Sequence, residues 1–382
     1  MTQAGFSYNV LIVTLIVIGV VLVGLVVSIG LGHFGRNYKA VRREARMATL
    51  RPQMLNLVSE GEIDHAELDL LVGENSKLAE EIAWQLLPKV RGSVRDSLVN
   101  WLKSGGAVAR EDAATRSRWA INRLRAAERL GRTGLVDHDE RLLALLHDHK
   151  HEVRVVAARA LGKLGNPNAV PALLDSLEGK KALPATLVAM AILHIGPGVT
   201  EHLVRGMSRR SFRARLVCAE LLGLLGDPKA VRLLSHVTLN DVNTEVRARA
   251  AKSLGRLSSP GSVETLLRST APNQPQVLRI AAVRALGQIG GRDALATLHA
   301  CAQNTTAELS IASMQSLSEL GEEGRSALVL LASGSDVFAL RARDWLARLD
   351  LRQQQIQLSR AARRRSRAQR SRSLVPRGAV QQ

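Results

Sequence analysis

The chain has 382 residues, a net charge of +19 and only 3% aromatic side chains, while 46% of its residues are hydrophobic. Aromatic scarcity argues against a β-rich core, and the length suits two or three ordinary domains or one long repeat array. The excess charge sits at the ends, in six basic residues against Glu44 over 36–51 and nine arginines without an acid from Arg352 to Arg377. The nearly balanced body between them removes a nucleic-acid-binding reading of the chain as a whole.

In chain order, residues 1–9 form a short uncharged leader, and Val10 to Gly35 is an apolar run without Asp, Glu, Lys or Arg. As a helix, its first part, Val10 to Leu31, would extend about 33 Å, enough to span hydrocarbon. The run is too long, and lacks the basic lead, for a cleaved signal peptide. Basic residues follow it directly, so a single transmembrane helix over 10–35 is expected, with the N-terminus outside and the rest in the cytoplasm, at the inner membrane. Gly24, Ser28 and Gly32 line one face of that helix and predict packing against another membrane helix. The juxtamembrane segment 36–51, with Arg42 and Arg43, is expected to meet anionic lipid.

Residues 52–105 read as divergent helical units, and 106–350 as a repeat. Leu130, Leu161, Ile192, Leu222, Leu254, Leu286, Leu317 and Leu346 recur at a period near 31 residues, the mark of a solenoid. Each unit predicts two helices. In the first, Val153, Val156, Ala157, Ala160, Leu161 and Leu164 form one apolar stripe. A break follows at "GNP" (Gly165 to Pro167), "GDP" (Gly226 to Pro228) or "SSP" (Ser258 to Pro260), where glycine closes one helix and proline opens the next. Such a hairpin cannot bury its stripe alone, but stacked copies can. Glycine follows the repeating leucine at Gly131, Gly162, Gly223, Gly255 and Gly287. Inside a helix it costs about 1 kcal/mol relative to alanine. Close approach of successive helices is the expected compensation.

These units resemble HEAT repeats, especially the short bacterial type found in phycobilin-lyase subunits. The resemblance covers 106–350 and implies an all-α, right-handed α-solenoid. It extends to an arginine seven residues before the leucine: Arg123, Arg154, Arg215, Arg247 and Arg279. In the family that arginine pairs with an acidic or amide residue about six positions earlier. Asp148–Arg154, Asp241–Arg247 and Asn273–Arg279 fit, whereas Arg209 precedes Arg215, and Ala185, Ser310 and Ala339 replace the arginine elsewhere. The resemblance further implies that the first helices line a concave face. There the position two before the leucine varies, as Arg159, Met190, Glu220, Lys252, Arg284 and Gln315, and predicts a partner surface. A bilin-lyase-like role follows from the family alone; its members of that kind are soluble partners, which the predicted anchor opposes.

Sites for chemistry are sparse. His147 and His151 at i, i+4 sit in a His/Asp-rich stretch, but without "HExxH" or paired cysteines it reads as an exposed turn, and no metal is expected. His194 and His202 flank "GPG" without a nucleophile beside them, and no GxGxxG, P-loop or GxSxG motif is present. Cys218 and Cys301 lie in apolar helical patterns and read as core. Neither a catalytic residue nor a cofactor is expected, and the chain reads as a non-enzyme. Residues 351–382 form an Arg-rich tail expected to be disordered or, over 359–373, weakly helical, and to lie on anionic lipid through Arg363, Arg364 and Arg365. The sequence thus reads as a membrane-anchored scaffold binding a membrane-associated protein complex, for example an envelope or polysaccharide assembly system. Nucleic-acid or lipid binding through the tail is the alternative.

Overall fold

A computed structural model describes residues 44–57, 65–196 and 198–373. The predicted anchor, with Gly24, Ser28 and Gly32, and the basic Arg42 and Arg43 lie outside the described residues. Among the described residues no helix is long and apolar enough to cross a membrane, and no strand occurs. The chain divides into two compact units, one ending at Leu135 and the other beginning at Val136. The predicted border at 105/106 therefore falls inside the first unit, and the 51/52 border falls inside a helix, α1, over 44–57.

The first unit continues with α2 (His65–Val72), α3 (Ser76–Leu86), α4 (Ser93–Ser104), α5 (Ala107–Ala114) and α6 (Ala120–Thr133). Met54, Leu68, Ile82, Leu98, Leu102 and Leu130 are fully buried in it. Arg129 of α6 reaches Glu81 of α3 and Glu111 of α5, each at 2.5 Å, and lies 5.6 Å from the centre of the Trp84 ring. Burial works against its charge, but the hydrogen bonds and charges of Glu111 and Glu81 outweigh that and raise its pKa. Trp101 Nε1 donates to Asp69 at 2.9 Å. This unit is tied by individual polar contacts that do not recur along it.

The second unit is a stack of hairpins. First helices are α8 (His151–Leu164), α10 (Ala185–Ile195), α12 (Phe212–Leu225), α14 (Thr244–Leu257), α16 (Gln276–Ile289) and α18 (Ala307–Glu319). Second helices are α7 (Asp139–Leu145), α9 (Val170–Asp175), α11 (Thr200–Gly206), α13 (Ala230–Asn240), α15 (Val263–Ser269), α17 (Arg292–Ala302) and α19 (Gly321–Ala332). The expected breaks appear. Gly165 and Gly226 end α8 and α12 in left-handed geometry at φ +78° and +73°, which glycine adopts without strain. Ser258 holds the same conformation after α14 at φ 47°. Pro167 then opens the next turn, where the Asn166 side chain accepts from Asn168 N at 3.0 Å.

Gly162, Gly223, Gly255 and Gly287, each after a repeating leucine, have the expected role. A Cβ on Gly162 would lie 2.7 Å from Ala191 O, and one on Gly255 2.7 Å from Ala285 Cα. Gly223 meets Ser253 and Gly287 meets Ser316 in the same manner, and Ser253 Oγ donates across to Ala219 O at 2.7 Å. Each rung sets a glycine against a small residue one before the leucine of the next first helix. Two of these first helices lack the glycine: α18 carries Ser318 in its place, and α10 carries Leu193, with Leu221 of α12 opposite. There α10 packs on α12 far more sparsely than α8 on α10 or α12 on α14.

The last helix, α20 (Val337–Ser373), makes the tail helical and not disordered over 351–373. Arginine, alanine and glutamine are good helix formers, and no glycine or proline interrupts them before Pro376, so high charge alone does not dissolve the helix.

Candidate functional site

The ladder arginines occupy the seams between hairpins. Arg123, Arg154 and Arg215 are 6%, 6% and 8% exposed. Arg123 Nη1 donates to Ser117 O at 2.8 Å, Arg154 Nη1 to Asp148 O at 3.0 Å, and Arg215 Nη1 to Arg209 O at 2.9 Å. Arg247 Nε and Arg279 Nε donate instead to Thr238 O and Thr270 O, at 2.9 and 3.0 Å. Arg247 and Arg279 thus close carbonyls at the C-terminal end of the preceding helix, where such groups lack intrahelical donors and a cation suits the dipole, while Arg123, Arg154 and Arg215 close carbonyls in the turn that follows it. In three cases the acceptor is the backbone of the residue six earlier, so its side chain is free to vary. This explains why Arg209 is tolerated there.

The expected pairing within one repeat is corrected for Asp241. Its carboxylate accepts from Arg215 of the preceding repeat, Nε at 2.8 Å and Nη2 at 3.0 Å, and from the backbone of Asn243 at 2.8 Å. Arg247 likewise reaches forward to Gln274 Oε1 at 2.6 Å, one residue past the expected Asn273 of that turn. The ladder therefore links neighbours. Two substitutes also escaped the sequence pattern. Ser310, in an arginine position, donates Oγ to Ala302 O at 2.6 Å, and Arg343 Nε reaches Ala332 O at 2.8 Å from one turn beyond Ala339. A buried serine in the arginine column was the available signal.

The predicted partner row lies on the stacked first helices. Arg159, Met190, Lys252, Arg284 and Gln315 are exposed along it. Glu220 is corrected: it is half-buried and bound to Arg249 at 2.5 Å, with Arg256 at 3.9 Å, so it serves the stack. Arg159 and Met190 line a cleft of about 510 Å³ between α8 and α10, and Lys252 and Arg284 line one of about 460 Å³ along α14 and α16. Arg363, Arg364 and Arg365 fall within α20.

The His/Asp-rich turn is bound into local structure. Asp148 Oδ1 accepts from Lys150 N at 2.8 Å, and His151 Nδ1 lies 3.3 Å from Arg154 Nη2. Among the described residues no three His, Cys, Asp or Glu side chains gather for a metal. Both cysteines are buried free thiols. Burial pushes the Cys218 thiol up to about 12 against the opposing charge of Arg209, and raises Cys301 as well, so neither is a thiolate nucleophile at neutral pH. His194 Nδ1 donates to Met190 O at 2.7 Å.

Stacked two-helix units with a glycine contact and an arginine rung at each step define an α-solenoid, a class built to present a long surface. The HEAT-repeat family profile matches residues 107–192 and 200–277, and that of the PBS lyase HEAT-like repeat matches 278–304, together half of the chain. The chain belongs to the HEAT-repeat family. A curated relative, the phycocyanin alpha phycocyanobilin lyase CpcF of Synechocystis sp., is 31% identical over 114 residues, 30% of this chain and 53% of that protein. The chain thus matches about half the length of that relative. Among solved structures, the complex of CpcE and CpcF of phycocyanin lyase from Nostoc sp. has 24% identity and a TM-score of 0.25, covering 71% of this chain and 94% of that one. Importin beta has 14% identity and a TM-score of 0.41, covering 70% and 44%. The curated relative corrects the expectation that the chain is no enzyme. A protein with matching repeats is named as a lyase, so missing catalytic motifs do not exclude enzymatic activity in this repeat class.

Proposed function

We propose that this protein is a scaffold that binds another protein through the exposed row on its first helices. One observation carries the reading. Arg159, Met190, Lys252, Arg284 and Gln315 occupy the same position on successive first helices, yet they differ in chemistry from step to step. A repeat stack with a varied exposed row suits an extended partner. The finer reading adds a membrane tether. The apolar run Val10 to Gly35 supports an anchor with the solenoid in the cytoplasm, Gly24, Ser28 and Gly32 support contact with a partner's membrane helix, and Arg42, Arg43 and Arg363 to Arg365 support contact with anionic lipid. A photocrosslinker at Gln315 or Lys252 in native membranes should capture a membrane-associated protein. Capture should fall at least about tenfold in Lys252→Glu/Arg284→Glu, because like charges across an interface cost several kcal/mol. Unchanged capture in that variant removes the row from binding.

A second reading, a bilin-lyase-like subunit, is supported by the relative that is 31% identical over 114 residues. Transfer of phycocyanobilin to the phycocyanin alpha chain, dependent on this protein, is its test.

A further inference from the structure

We infer that the cleft between α8 and α10 is the docking site for an acidic segment of the partner that carries large apolar side chains. This rests on the scaffold reading above and gives its partner a chemistry. The cleft has a volume of about 510 Å³, and its cations stand on one wall. The α8 side presents Arg159 and Lys163 beside Val155; the other presents Pro184 and, from α10, Thr186, Leu187, Met190 and His194. The cations are the first signal. Elsewhere in the described residues, arginines close to carboxylates are neutralised: Arg249 by Glu220, Arg325 by Asp350, Arg209 by Asp175. Arg159 and Lys163 have neither a hydrogen-bond nor a salt-bridge partner among the described residues, and no carboxylate lines their cleft. The cleft along α14 and α16 differs, because Glu245 stands in its wall with Arg249.

The apolar side is the second signal. Met190 is 53% exposed where the equivalent residues of the next three first helices are Glu220, Lys252 and Arg284. Leucine and methionine make an adaptable apolar floor. Uncompensated cations beside such a floor complement carboxylates spaced along a segment whose apolar side chains point the same way. An arginine can take a carboxylate in two parallel hydrogen bonds, and exclusion of water by the apolar contact strengthens them. An amphipathic helix laid in a groove is the familiar form of such recognition.

The test uses the full chain in nanodiscs of neutral lipid and a fluorescein-labelled 16-residue peptide that places leucine on one helical face and glutamate on the rest. Anisotropy should report binding that weakens with salt. It should fall at least about tenfold in Arg159→Glu/Lys163→Glu and in Met190→Asp, and persist in Arg159→Lys/Lys163→Arg. The same peptide with glutamine for glutamate should bind at least about tenfold more weakly. Unchanged circular dichroism in each variant excludes loss of fold. The inference is overturned if the acidic peptide does not bind, if it binds wild type and both disruptive variants alike, or if Arg159 and Lys163 govern binding of single-stranded RNA or anionic vesicles and not of the peptide. Photocapture at Gln315 that persists while the peptide fails overturns this cleft and leaves the scaffold standing. Peptide binding without any photocapture supports the cleft and counts against the row beyond it.

Discussion

The unit built on α10 and the unit built on α14 share one outline, yet only α14 has all its fastenings. It carries Arg247, bound to Thr238 O and Gln274, and Gly255, pressed on Ala285, and its neighbours pack closely on both sides. At the corresponding positions α10 has Ala185 and Leu193, and on the α12 side the stack is loose. A cleft of about 450 Å³ lined by Leu183, Pro184 and Phe212 opens beside it. The repeated residues are therefore the joints of the stack. Where they lapse, on the α12 side of α10, the seam is loose, whereas the proposed docking cleft lies on the closely packed side of the same helix, against α8.

Breaking a joint on the fastened side should have the largest effect. Arg215 and Asp241 are 10% and 7% exposed in their side chains, so Arg215→Ala strands a buried carboxylate. A loss of about 3 to 5 kcal/mol is expected, read as a fall in melting temperature, with hydrogen exchange increasing around α12 and α13. Arg215→Met/Asp241→Asn should recover much of it, since no charge is then left buried alone. A smaller loss, about 1 to 3 kcal/mol, is expected for Gly255→Ala. Helix propensity favours alanine by about 1 kcal/mol, so net destabilisation here isolates the steric contact with Ala285 and Gln288. Stabilisation instead would mean that the two helices separate at little cost.

The repeat was legible because it is written in residues that act locally or by fixed period. The leucine every 31 or so, the glycine beside it and the closing Gly-Asn-Pro turn each have a one-dimensional signature. The arginine column was visible too, but its partners were not. The family pattern pairs Asp241 with Arg247, while stacking brings it to Arg215, 26 positions away. Ser310 reads as the loss of a rung although its hydroxyl performs the same task on Ala302 O. The tail was open for another reason: composition identified its charge and left disorder and helix as alternatives, and the helix-forming bias of Arg, Ala and Gln decided its backbone up to Ser373. In the partner row, position alone gave five exposed residues and misplaced Glu220, whose role depends on Arg249 one unit on.

A second buried aspartate sharpens the contrast at smaller scale. Asp241 has an arginine; Asp139, at the start of α7 and 9% exposed, has the Asn166 amide, and its Oδ1 lacks a hydrogen-bond partner. Burial raises its pKa above the usual 3.8, and the Asn166 hydrogen bond offsets only part of that. A carboxyl with a higher pKa in the folded chain binds its proton more tightly when folded. Its contribution to stability therefore declines as pH rises from the unfolded value through the folded one, and stays at the lower level above both. Asp139→Asn keeps an acceptor for Asn166 and removes the charge. The variant should be more stable than wild type at pH 7, and the difference should shrink when both are melted below the unfolded pKa. Taking variant minus wild type at each pH cancels the other carboxylates. A difference that grows in acid would mean that the ionised Asp139 is favoured by the fold, and the two aspartates would then be alike.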